Sequence, residues 1–263
     1  GPLHVTRGVP ESPLYEIFLE AAVEAGHERV ADTNGYRQEG FGYFDATIHE
    51  GKRESASRAY LHPAMRTRRN LAVITGAMVG GIALQNGRAE SVRFMSGGKL
   101  CTAHVEREVI LSAGAIQSPQ VLMLSGIGPA DALKANGIEV KADLPGVGCN
   151  LADHLEWIVS YRCCKPVTYF DATKTPRQLA IGAEWLTRKT GLGTSNFFEA
   201  GGFLRSSPEQ SYPDVHLHFV ALAAEYSGRL SAPGHSYQVH LSTGKPASRG
   251  AITLRSSAPD DAP

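Results

Sequence analysis

Charge of one sign is missing from this sequence: 26 basic side chains are matched by 26 acidic ones over 263 residues, and no run of about five like charges occurs. That balance removes the electrostatic argument for nucleic acid, an anionic membrane surface or a polyanionic substrate. No apolar stretch approaches the roughly 18 residues that a membrane-spanning helix needs. The opening residues, GPLHVTRG, have the character of neither a signal nor a transit peptide. Cysteine is scarce, and Cys101, Cys149, Cys163 and Cys164 make no C-x-x-C pair. The adjacent Cys163 and Cys164 are badly placed to bridge each other, so all four are expected as free thiols, which leans towards a reducing compartment. Repeats and low-complexity tracts are also missing. What remains is a globular composition, 42% hydrophobic and 8% aromatic, able to bury a sizeable core. The first residue is not Met and the last, SAPDDAP, closely follow a strand-like segment, so an internal piece of a longer protein is expected.

Ser12-Pro13 followed by Leu14, Ile17, Phe18, Ala21 and Ala25 has helical spacing, with Ser12 as N-cap and Gly26 as the stop. From Asn70 the chain turns to short β-prone runs, LAVIT, GIAL, SVRFM and LCTAHVE, punctuated by Asn86-Gly87 and Gly97-Gly98, which predicts a β-meander. Glu108 to Ser112, EVILS, is continuously apolar after its first residue and breaks at Ala113-Gly114-Ala115, as a buried parallel strand does where it ends beneath a ligand. Ser118-Pro119 is expected to open a short helix ended by Gly126, and Pro129 another that ends near Gly137, followed by a β segment, IEVKADL. Beyond Gly148 the pattern predicts a helix from Pro176 to about Thr190 and strands near 214–222, 236–242 and 250–254. The class expected is α+β, with an antiparallel sheet.

Three features invite chemistry. Gly126-Ile127-Gly128 and Gly146-Val147-Gly148 fail as dinucleotide loops, because each lacks the third glycine and a helix start in register. In Val215-His216-Leu217-His218-Phe219 the alternation puts both imidazoles on one strand face, yet no third ligand sits at a recognisable offset, so no metal site is assigned. Asp153-His154-Leu155-Glu156-Trp157 concentrates two carboxylates, an imidazole and an indole. A loop-to-strand junction in which Asp153 caps backbone amides and Glu156 is solvated explains it plainly. A carboxylate beside an aromatic face is also how proteins hold a quaternary ammonium. A base triad is the third reading, without a G-x-S-x-G elbow to accompany it.

GAIQSPQVLMLSGIG, Gly114 to Gly128, followed by LPGVGCNLADH, Leu144 to His154, resembles the second signature region of the glucose-methanol-choline (GMC) oxidoreductases. GPLHVTRG, NGYRQEGFG from Asn34, TIHEGKR from Thr47, AYLHPA from Ala59 and SNFFEAGGFLRS from Ser195 are similar to the choline-oxidising branch of that family. The resemblance implies a partial GMC fold: residues 46–155 in an FAD-binding, Rossmann-like domain with a β-meander, and residues 1–45 and 156–263 in a substrate domain with an antiparallel sheet and helices. It implies a backbone contact to the adenine end of FAD at Val79, and close backbone approach to the cofactor at Ala113, Gly114 and Ala115, where small side chains leave room. Gly80-Gly81 departs from the bulkier residues usual there, and Ala152 from the family's Asn-Leu-Gln-Asp-His.

For the site, the resemblance matches Glu156 to the carboxylate that holds a trimethylammonium group and His218 to a histidine that positions the alcohol oxygen. Trp157, Phe197 or Phe198 would complete an aromatic cage. The implied reaction is oxidation of choline to betaine aldehyde with hydride transfer to FAD and onward electron transfer, respiratory quinone being the expected acceptor. Association with the mitochondrial inner membrane, or alternatively a bacterial cytoplasmic membrane, is implied as well. The family's glycine-rich pyrophosphate loop and its carboxy-terminal catalytic histidine region have no counterpart in this sequence, so these residues alone are not expected to turn over. The alternatives are a GMC dehydrogenase for another primary alcohol and a truncated, non-catalytic module.

Overall fold

Pro13 enters the first helix with φ −65°, and Gly26 leaves it at φ +90°, a left-handed conformation that an L side chain resists. Pro13 rather than Ser12 stands at the N-cap; one residue earlier, Ser12 Oγ accepts the Leu14 N–H at 3.3 Å and donates to the Val167 carbonyl at 2.7 Å. A computed structural model describes residues 1–8, 10–225 and 227–263. In chain order, α1 is Leu14–Glu24 and β1 Gly40–Tyr43; β2 Ala77–Gln85, β3 Arg88–Ser96 and β4 Lys99–His104 follow. Next come α2 Gly114–Leu124, α3 Ala130–Ala135, β5 Glu156–Arg162, α4 Thr175–Arg188, β6 Ala200–Leu204, β7 Val215–Val220 and β8 Ser236–Thr243. The class is α+β. Two compact units form, residues 1–71 with 154–246 and residues 72–153 with 247–263.

The first unit is built on a five-stranded sheet in the order β5-β8-β7-β6-β1, antiparallel throughout. Alternation divides it into two faces. Phe41, Phe219, Val239 and Ala200 point to one, and α1 lies across them, with Phe18 stacked on Phe219 at 4.8 Å and Tyr15 edge-on to it at 5.2 Å. Tyr15, Leu19, Ala22, Tyr169, Leu192 and Ala221 complete this core. Its polar atoms are satisfied internally. Tyr15 OH donates to the Phe197 carbonyl at 2.7 Å, and Tyr169 OH accepts from the Glu11 and Ser12 amides while donating to Glu199 Oε2. Burial raises the Tyr15 and Tyr169 phenols above their ordinary range, and it also raises the Glu199 carboxyl.

The second unit holds the meander β2-β3-β4. Asn86 and Gly87 turn its first hairpin with φ of 51° and 75°, the double left-handed conformation that an Asn-Gly pair favours. Two expectations fail here. LAVIT forms no strand: β3 ends at Ser96, the partner of Ala77, so among the described residues 71–75 meet no strand to pair with. EVILS forms none either. A central strand's amides and carbonyls are satisfied only by flanking strands, none lies beside 108–112 among the described residues, and Ile110 is 80% exposed. Parallel pairing in this unit is limited, among those residues, to Ile127–Gly128 with Ala142–Asp143, which is all that forms of the IEVKADL segment.

The helix expected to begin at Ser118 begins at Gly114 instead. Gly114 at φ +84° turns the chain into it, and Ser118 Oγ accepts the Ala113 N–H at 3.1 Å, tying down the entry. Gly126 ends this segment at φ +84°; a side chain there would meet the Glu139 carbonyl at 2.4 Å, so the GIG pair serves a backbone crossing. β2 passes through Gly80-Gly81 with a register shift, a bulge in an otherwise continuous strand. Of the strand expected over 250–254, Gly250–Ala251 forms, pairing with 149–151. The four cysteines are free thiols, and among the described residues no helix is long and apolar enough to cross a membrane.

Leu19 has no exposed surface, so Leu19→Ala leaves a cavity under the sheet. Urea unfolding should show a loss of about 2–5 kcal/mol.

Candidate functional site

The face of the five-stranded sheet opposite α1 is polar. One register row across it reads Glu156, Ser242, His216 and Phe203; the next reads Ile158, His240, His218 and Gly201. Three adjacent strands, β5, β8 and β7, thereby bring one carboxylate and three imidazoles to one surface, all within the first unit. His240, 4% exposed, sits with Nδ1 3.3 Å from Glu156 Oε1. His216 Nε2 and His218 Nε2 share a hydrogen bond, and Ser242 Oγ reaches His216 Nδ1 at 3.1 Å, which links the two rows.

Aromatic rings wall this surface. Phe198 stands edge-on to both His218 and His240, at 5.6 and 5.8 Å, and Phe44 edge-on to His218 at 5.3 Å. Phe44 fits because residue 201 is glycine: a Cβ there would lie 2.4 Å from the Phe44 ring and 2.0 Å from the Leu217 carbonyl. Phe44 N–H donates to the Glu199 carbonyl at 2.9 Å. Glu199 also receives the Ser195 hydroxyl at 2.7 Å, so the buried carboxyl anchors the segment that presents Phe198.

Burial, then the neighbouring His216 and His240, push His218 down to about 4. His216 is lowered too, by burial first and by His154 second, whose ring lies 6.3 Å away. At neutral pH His218 is an uncharged ring that can orient a hydroxyl, and its low basicity makes it a poor proton acceptor.

Glu156, His218 and Phe198 of the expected site residues meet on this surface. Trp157 does not: strand neighbours point to opposite faces, and the indole lies on the α1 side, 74% exposed. Phe197 does not either. It adopts φ +65°, its ring packs 5.5 Å from Tyr169 and its carbonyl is held by Tyr15, all in the core beneath the sheet. His240, which lies on a separate segment of the sequence, and Phe44 join Glu156, His218 and Phe198 on this surface. A signal for His240 exists, since Ser236, Gln238, His240 and Ser242 recur at period two and all four are buried, a polar stripe facing inward. Among the described residues no group of three or more His, Cys, Asp or Glu is arranged to hold a metal ion.

In the second unit Val79 lies half-buried in β2 opposite Phe94. Ala113, Gly114 and Ala115 are exposed at the start of α2, and no atom lies within 4 Å of where a Cβ on Gly114 would be. Small side chains and an open backbone at a helix start suit the close approach of a dinucleotide.

Residues 1–156 match the family described as GMC oxidoreductase. The chain belongs to that family. The GMC chain is 46% identical over its full 263 residues to the oxygen-dependent choline dehydrogenase of Staphylococcus aureus, and covers 46% of that protein. It spans just under half the length of the curated relatives it matches. Among solved structures it resembles pyridoxine 4-oxidase from Mesorbium loti, with 27% identity and a TM-score of 0.82, covering all of this chain and 48% of that one. Aspergillus oryzae formate oxidase, studied for FAD modification, shares the fold at TM-score 0.90 and 22% identity, covering all of this chain and 51% of that one.

The low His218 value carries a sign. The unfolded ring takes up a proton near its ordinary 6.5, while the folded one resists until about 4, so stability should be full above the first value and fall as pH drops between the two. Urea unfolding across that window should show the decline, and His218→Gln should flatten it.

Proposed function

We propose that this chain is the substrate-side half, together with part of the flavin-binding shelf, of an FAD-dependent choline dehydrogenase. The observation that carries the reading is the placement of Glu156 and His218 on one sheet face, separated by the single strand β8. Two strand spacings across the sheet and an offset of two residues along it put the two backbones roughly 12 Å apart, which side chains leaning towards each other bring to the span of a carboxylate contact, an ammonium joined to a hydroxyl by two carbons, and a hydrogen bond. A trimethylammonium group has no N–H to donate, so charge and aromatic faces must recognise it. Glu156 supplies the charge and Phe198 the wall. His218, neutral at working pH, accepts or donates a hydrogen bond at the alcohol oxygen and orients the carbon that loses hydride.

FAD, when bound, supplies the two-electron acceptor. Within this chain, Val79 and the open backbone at Ala113, Gly114 and Ala115 are the residues proposed to meet it. Substrate binding falls to residues 154–246, and cofactor contact to the unit of residues 72–153. Oxidation of choline to betaine aldehyde removes a hydride equivalent and the hydroxyl proton; bound FAD would take up the former, while Glu156 and His218 would hold the two ends of the alcohol. The relative's description as oxygen-dependent favours dioxygen over respiratory quinone as final acceptor. Because that relative is bacterial, a bacterial cell is favoured over the mitochondrial inner membrane.

A second reading keeps the family and changes the substrate to a neutral primary alcohol. It is favoured by the His240 contact, which gives Glu156 a partner inside the protein. The two separate in the full-length holoenzyme with Glu156→Gln. The choline KM should rise on the order of tenfold or more, while that for 3,3-dimethylbutan-1-ol, its neutral isostere, should stay within about twofold. Equal rises would remove the ammonium role from Glu156.

A further inference from the structure

The proposed reading uses Glu156, Phe198 and His218, and one side chain that has no part in it lies against all three. His240 places Nδ1 3.3 Å from Glu156 Oε1, meets the Phe198 ring at 5.8 Å and a steep angle of 75°, and is the cross-strand partner of His218. It is almost wholly buried, and it belongs to the strand between the other two. Glu156 needs such a neighbour. Its side chain is 24% exposed at the first residue of β5, at the end of the strand, where a carboxylate turns freely about its last bonds. The contact is diagonal, because Glu156 is paired with Ser242 and His240 lies two residues along β8. The ionisable groups facing His240 on this surface are Glu156 on β5 and His216 and His218 on β7, with His154 preceding β5; β6 contributes Gly201 and Phe203 and no charge.

We propose that His240 is a positioning residue for recognition of a quaternary ammonium: its Nδ1 holds the Glu156 carboxylate and its ring backs Phe198, so that charge and aromatic wall face the same cation. It sets preference for a cationic over a neutral alcohol without touching the reacting carbon. This rests on the ammonium role of Glu156 proposed above.

The test compares His240→Phe, His240→Asn and His240→Gln with Glu156→Gln in the full-length, flavin-loaded protein. Two readouts are taken: the equilibrium Kd for tetramethylammonium by calorimetry, and the ratio of choline KM to that of 3,3-dimethylbutan-1-ol. Asn returns an N–H close to the Nδ1 position, Gln returns one near Nε2, and Phe keeps the ring without a donor. His240→Phe and His240→Gln should each weaken tetramethylammonium by about five- to tenfold and lower the preference for choline, with Asn within about threefold of the original protein. Should the Phe variant not fold, the contrast between Asn and Gln carries the same distinction. The inference is overturned if Asn and Gln act alike, or if both substrates change equally, or if the His240 variants leave tetramethylammonium binding intact while Glu156→Gln weakens it; in that last case the Glu156 reading stands. If Glu156→Gln leaves tetramethylammonium binding unchanged, the Glu156 reading fails and the role of His240 fails with it.

Discussion

Strand register is the constraint on which the first unit depends. Side chains alternate with period two, so a slip of one residue along β8 would send His240 and Ser242 into the α1 core and put Leu241 and Val239 on the polar face. Both faces oppose such a slip. On the helix side Tyr161 stacks on Tyr237 at 5.4 Å, and Phe219 packs against the same ring at 5.6 Å. On the other side Gln238 donates to Ser160 and Ser231 at 3.1 Å, and the Ala224 amide donates to its carbonyl oxygen. Buried amide and hydroxyl groups tolerate few alternatives, because a slipped strand would leave them unpaired at about 1–3 kcal/mol each. The polar stripe therefore specifies the pairing as well as lining the site.

Once register is set, the electrostatics follow from crowding. Burial and then the two neighbouring imidazoles disfavour a charge on His218. His218 is the ring driven lowest, with two imidazoles beside it, whereas His240 faces a carboxylate. Adjacent histidines thus receive different work from position alone. Beside the Glu156 carboxylate this surface therefore holds an uncharged ring, His218.

How far the residues alone reveal this depends on where each element finds its partners. The first helix was legible because Ser12, Pro13 and Gly26 punctuate it locally, and the meander because Asn86-Gly87 is a turn with its own conformational logic. EVILS differs for the opposite reason: its apolar run says buried strand, yet pairing is a property of neighbours, and none stands beside it among the described residues. Within the site, alternation alone separates Glu156 from Trp157 and joins His216 to His218. Phe197 and Phe198 could not be told apart that way, since the left-handed backbone at Phe197 turns one ring into the core and the next towards His218. His240 required knowing which strand lies between β5 and β7, information that no local pattern contains.

Gly201 leaves a gap in the side-chain layer of the sheet, and the ring that fills it belongs to a residue just beyond β1, suspended from one backbone bond to Glu199. Strand spacing sets most dimensions of this surface and is nearly invariant. The distance between Phe44 and His218 is set instead by the path of the chain just beyond β1. The gap between Phe44 and His218 can consequently change without disturbing either the core or the register, so the polar face can be reshaped while the hydrophobic side of the sheet stays as it is.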